Sequence, residues 1–155
     1  MKIHLPTFAL LVASLIPSAA MAQKAESNMP STSEKEQEDR IVLVAKSQGE
    51  FIGFQFGDYL HATFREKNGK ERSFFIQTQG IDYFLAQYRG RNVQITYEVV
   101  DQFVPEAGER IQLERIVDAQ VGSQRYSRWW QEIQNKVAPE EIQRRYEPLV
   151  EKATQ

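Results

Sequence analysis

The stretch Tyr59-Leu60-His61-Ala62-Thr63-Phe64-Arg65-Glu66, continued through Lys67-Asn68-Gly69-Lys70 into Glu71-Arg72-Ser73-Phe74-Phe75-Ile76-Gln77, decides the fold of this chain. Two strand-like runs flank an Asn-Gly pair, whose residues accept the positive φ of a type I′ turn, so the spacing predicts a β-hairpin. Side chains alternate across a strand. Leu60, Ala62 and Phe64 therefore share an interior with Phe74 and Ile76. Tyr59, His61, Thr63 and Arg65 form an outer face with Ser73, Phe75 and Gln77.

Working outward, Ile41-Val42-Leu43-Val44-Ala45 and Phe51-Ile52-Gly53-Phe54-Gln55-Phe56 read as one long strand, broken at Gly49 and Gly53. Glycine there accommodates the bend a small barrel needs at its corner. On the other side, Ile81, Phe84, Leu85 and Tyr88 recur at helical spacing, with Gly90 as the C-cap. Val93 to Val99 alternates as a fourth strand with Val93, Ile95, Tyr97 and Val99 inward. A loop is expected from Asp101 to Glu109, where Pro105 and Gly108 break the pattern, followed by a fifth strand from Ile111 to Val117. Strand, strand, strand, helix, strand, strand is the order of the OB-fold. The fold expected for residues 41–121 is thus mainly β: a five-stranded OB-like Greek-key barrel with one inserted helix, closed around Leu60, Phe64, Phe74, Ile95 and Leu113.

Residues 122–155 read as a C-terminal helical extension. Tyr126, Trp130, Ile133 and Val137 fall on one helical face. Pro139-Glu140-Glu141 opens a second helix, with acids at the positive end of its dipole, and Ile142, Tyr146 and Leu149 continue its apolar stripe. Pro148 should end or kink it near Glu147. The two helices can cover the barrel or a partner chain.

At the other terminus, Met1-Lys2-Ile3-His4, an apolar run from Leu5 to Pro17 and Ala20-Met21-Ala22 have the features of a secretory signal peptide, residues 1–22. Residues 23–40 are too polar to order a backbone and read as a disordered tether. The chain contains no Cys, which excludes a disulfide framework and thiol chemistry. With 19 basic and 21 acidic side chains overall, it lacks the positive field that draws nucleic acid or anionic lipid.

Beyond the leader His61 is the single histidine, so a small hydrolase would depend on that side chain alone. The acidic residues are scattered, without calcium-loop spacing, and no phosphate-cradling glycine motif occurs. No cofactor and no metal are implied, and an enzyme is not expected. Tyr59, His61 and Phe75 could stack bases or sugars, so a single-stranded nucleic-acid or oligosaccharide binder is the alternative. Barrel residues 41–121 carry 9 basic and 11 acidic side chains, which argues against nucleic acid. The candidate binding residues are Tyr59, His61, Arg65 and Phe75 on the outer face, Phe103 in the loop after the fourth strand, and Trp129, set apart from Trp130 around the helix. That outer face meets a ligand, or Tyr126, Trp130, Ile133 and Val137 cover it.

At Phe64-Arg65-Glu66-Lys67-Asn68-Gly69, following Tyr59, the chain resembles the small periplasmic bacterial OB-fold family. The resemblance implies a signal-bearing, non-enzymatic periplasmic protein, associated with envelope stress and with small or cationic ligands. It covers only the barrel; the loop after Val100 and the C-terminal helices depart from it. The expected function is a non-catalytic binding or protein-interaction module of the cell envelope, its partner an envelope protein or a small ligand.

Overall fold

The structure, a computed structural model, describes residues 38–104 and 108–155. The leader, most of the tether, and Pro105 and Glu106 lie outside the described residues. The elements are β1 (Arg40–Phe56), β2 (Leu60–Arg65), β3 (Glu71–Ile76), α1 (Ile81–Ala86), β4 (Asn92–Val104), β5 (Glu109–Val121), β6 (Gln124–Arg125), α2 (Tyr126–Lys136) and α3 (Pro139–Thr154). The six strands lie in the order β3-β2-β1-β4-β5-β6, with antiparallel neighbours. A short parallel pairing of Phe75 and Ile76 with Arg115 and Ile116 joins β3 to β5 and bonds five strands into a ring.

β1 makes the ring possible. Its first half, Arg40 to Glu50, pairs with β4, and its second half, Glu50 to Phe56, pairs with β2. Between them the ladder slips at Phe51/Gly53, and Gly53 takes φ +154. A side chain there would begin 2.6 Å from the Ala153 carbonyl oxygen, so glycine lets α3 rest directly on the strand. Arg89 ties the two together: its Nε donates to the Ile52 carbonyl at 2.9 Å and its Nη1 to the Lys152 carbonyl at 2.8 Å.

The hairpin forms, with His61 opposite Phe75 and Arg65 opposite Glu71. Its turn differs from the two-residue form expected. Gly69 N donates to the Glu66 carbonyl and Glu66 N to the Lys70 carbonyl, making a three-residue loop, Lys67-Asn68-Gly69, with Gly69 in the left-handed region at φ +81. Asn68 Oδ1 accepts from the Lys70 amide and supplies the local bond that favours this turn.

Inside the ring Phe51, Phe54, Ala62, Phe64, Phe74, Val93, Ile95 and Ile116 are buried. α1 plugs one end with Ile81, Phe84 and Leu85, each fully buried. The other end is closed by charge. Arg72 shares the inward phase with Phe74; its guanidinium lies 4.7 Å from the Phe74 ring centroid and 4.8 Å from that of Tyr97. It pairs with Glu114 through two hydrogen bonds and reaches the Tyr97 hydroxyl. Glu114 therefore occupies an inward position on β5, opposite Val99, while Leu113, expected inside, lies in the opposite phase beside Val100.

Three further expectations are corrected. Residues Asp101 to Val104 are strand, not loop: β4 and β5 continue as a ribbon to Val104↔Glu109, fastened by Arg110 Nε on Asp101 Oδ2 at 3.0 Å. Gln87, not Gly90, is the C-cap of α1; Gly90 is left-handed three residues later, where its amide meets the Phe51 carbonyl. α3 runs through Pro148 to Thr154. Proline removes one exposed hydrogen bond there, and the burial of Val150 and Ala153 beyond it holds the last turns in place.

Both C-terminal helices pack on this chain. Tyr126 meets Phe84 at 6.0 Å between centroids, Trp129 meets Phe84 at 5.5 Å, and Ile133, Ile142 and Tyr146 form a second, smaller core. They dock on α1 and its end of the barrel. Tyr126, Trp130, Ile133 and Val137 do not cover Tyr59 and His61.

Candidate functional site

The outer face nominated from the sequence comes together only in part. Phe75 is buried, with 5% of its surface exposed, beneath Tyr59 at 4.8 Å and His61 at 5.0 Å. Tyr59 is exposed and covers Phe75. His61 Nδ1 lies 3.0 Å from the Tyr59 carbonyl oxygen. Thr63 is buried rather than outward: it faces Gly53 where α3 descends, and its hydroxyl bonds that of Ser73 at 2.9 Å. Arg65 bridges Glu50 and Glu71 at 3.5 and 3.2 Å, so its charge is balanced within the protein. Phe103 sits in the β4–β5 ribbon opposite Arg110, remote from the hairpin. Trp129 is half-buried, packed on Trp130 and edge-on to Tyr146. The six residues divide among three places.

A different site is built where the barrel, α1 and the C-terminal helices meet. Thr78 anchors the approach to α1 by donating its hydroxyl to the Ile116 carbonyl at 2.7 Å, and the Tyr126 hydroxyl donates to the Gln79 carbonyl. The chain then turns at Gly80, φ +75, into α1. A side chain on Gly80 would begin 2.4 to 2.6 Å from three carbons of the Trp130 ring, so glycine is required both by the backbone and by the indole lying on it.

The next residues, Asp82 and Tyr83, face a groove of about 650 Å³. Leu60 and Ile76 from the barrel form one wall, and Trp130, Val137 and Ile142 from the helices form the other. Gln77, Gln79, Gln134 and Gln143 supply amides around it, and among the described residues Asp82 is the only charged one in the lining. Burial raises the Asp82 carboxyl above its ordinary 3.8, against two backbone amides, of Tyr83 and of Asp82 itself, that favour the anion. Asp82 makes no ion pair among the described residues. Its negative field extends outward: burial first, and then Asp82, raise Tyr83. Burial, then Asp82 and Asp118, push Tyr126 up to about 12.

A partly desolvated carboxylate beside the Tyr83 and Trp130 rings, 6.4 Å apart, presents what an organic cation needs: a counter-charge, ring faces and a water-poor wall. Sequence reasoning placed Trp130 on a helical face and Asp82 on a short helix without joining them. The one signal was an acid at the second position of α1, amid the buried Ile81, Phe84 and Leu85. Among the described residues no cluster of three His, Asp or Glu is disposed to hold a metal ion. No known protein family, curated protein or solved structure matches the chain.

Proposed function

We propose that this protein is a non-catalytic OB-fold binding module of the bacterial cell envelope, exported through the leader at residues 1–22, and that it holds a small amphipathic cation in the groove around Asp82. The observation that carries the reading is a single half-buried carboxylate with no cationic partner among the described residues, set between aromatic rings in a groove of ligand size. The OB-fold assignment is supported by the strand order, the parallel β3–β5 contact and a helix between β3 and β4. The envelope assignment is supported by the basic start, apolar run and Ala-Met-Ala of the leader, and no helix among the described residues is long and apolar enough to cross a membrane.

The ammonium of the ligand would replace water at Asp82, its apolar body would lie against Trp130 and Ile142, and the glutamine amides would fix its polar end. The test titrates phenethylammonium and choline against the protein, with phenylacetate as the anionic control, and follows tryptophan emission. The cations should shift the emission saturably, and Asp82→Asn should weaken them by roughly tenfold, the worth of about 1.4 kcal/mol. Binding should weaken as pH falls through the raised Asp82 value. Equal binding by Asp82→Asn, or no response to either cation, overturns the proposal.

A further inference from the structure

Among the described residues the first half of β1 pairs with β4 along one edge only. β2 takes up the other edge from Glu50 onward, and no described strand pairs with Arg40 to Gln48 along that side. On this open edge Ile41, Val42, Leu43 and Val44 are 55, 58, 52 and 55% exposed, four consecutive apolar side chains on both faces of the sheet. Soluble proteins blunt such edges with charge or a bulge, because an open apolar strand recruits another strand. Both devices are present: the ladder to β4 slips at Ile41/Leu43, and Lys46 follows three residues later. Neither removes the apolar run.

We infer that a second copy of this chain occupies this edge, pairing its β1 antiparallel to the first about a two-fold axis at Val42. Self-complementarity selects the partner and the register. With the axis at Val42, Ile41 of each copy lies opposite Leu43 of the other and Arg40 opposite Val44, which brings Glu38, two residues ahead of the strand, toward Lys46. Moving the axis to Leu43 sets Arg40 against Lys46, and like charges directly opposite are unfavourable in a sheet; moving it to Val44 carries the second copy's Glu38 to Glu50, where β2 already occupies the edge. Neither the Glu38 carboxylate nor Lys46 has an ion-pair partner among the described residues. In this register the lysine that guards the edge against other strands becomes the contact that admits its own. The edge lies outside the Asp82 groove, so the pairing stands independently of the ligand.

Sedimentation equilibrium of the purified protein tests this. A concentration-dependent monomer–dimer equilibrium is expected, strengthened at low salt. Lys46→Glu should weaken the dimer by roughly tenfold, since it faces Glu38, and the swap Glu38→Lys with Lys46→Glu should restore it. Val42→Lys, which sets two ammonium groups against each other on the axis, should give monomer. All substituted side chains are exposed, and circular dichroism of each variant confirms folding. A monomer at every concentration reached, or a dimer indifferent to Lys46→Glu, overturns the inference, including the case in which a different extended peptide is what the edge accepts.

Discussion

Replacing Gly80 with Ala tests whether the helices are truly seated on α1. Two costs add at this position. Leaving a non-glycine residue at φ +75 costs about 1–2 kcal/mol. Forcing a Cβ to within 2.4 Å of the Trp130 ring means displacing the indole, for which overpacked cores lose about 1–3 kcal/mol. The loss of chain entropy in the unfolded state returns about 0.4–1 kcal/mol, so the net effect is about 1–5 kcal/mol, centred on about 3 kcal/mol. Gly69→Ala is the internal control: φ is +81 and nothing lies within 4 Å, so only the backbone cost, less the same entropy return, applies, about 1 kcal/mol net. Urea unfolding followed by circular dichroism measures all of these without relying on tryptophan. The decisive measurement repeats Gly80→Ala in a Trp130→Ala background, where the steric part should vanish and the cost should fall to that of Gly69→Ala. Equal costs for Gly80→Ala and Gly69→Ala, with no relief on removing Trp130, would refute the packing of α2 on α1 and with it the groove.

Three other outcomes are expected. Arg72→Met should lower stability by about 1–2 kcal/mol, between the worth of an exposed pair and that of a buried charged hydrogen bond, because the Arg72–Glu114 pair is only about a third exposed; an unchanged urea midpoint would mean the barrel end needs no such closure. Asp82→Asn should be more stable than the parent at pH 7, since burial makes the folded state hold the Asp82 proton more tightly than the unfolded chain does. The ionised group thus costs stability as pH rises through its raised value, and the advantage of Asn should disappear below the ordinary 3.8; an advantage constant with pH would contradict that burial. Gly53→Ala should cost about 1–3 kcal/mol by pushing on the Ala153 carbonyl and should speed proteolysis within residues 139–155; resistance equal to the parent would show that α3 does not depend on that approach.

The strands and α1 were legible because their apolar periods differ cleanly, two for Val93 to Val99 and 3.6 for Ile81 to Tyr88. The ribbon beyond Val100 was not: Pro105 and Gly108 are breakers wherever they occur, and the cross-strand partners Asp101 and Arg110 belong to different segments. β5 misled for a related reason. Ile111 and Leu113 share one phase and Ile116 the other, so alternation alone cannot say that Glu114 turns inward, and only Arg72 across the barrel mouth explains it. The candidate site was less legible still. Phe75 was read as outward and is so by phase, yet Tyr59 and His61 bury it. Asp82 and Trp130 are brought to one groove solely by the docking of α2, which no local pattern encodes.

The contact between Gly53 and the last helix also bears on when this molecule can finish folding. Val150 and Ala153 belong to the main core and Arg89 holds the Lys152 carbonyl, so the sheet lacks part of its cover until α3 has docked. The first strand of the ring is thus completed by the helix farthest from it along the described chain, a long-range closure that local segments cannot make by themselves.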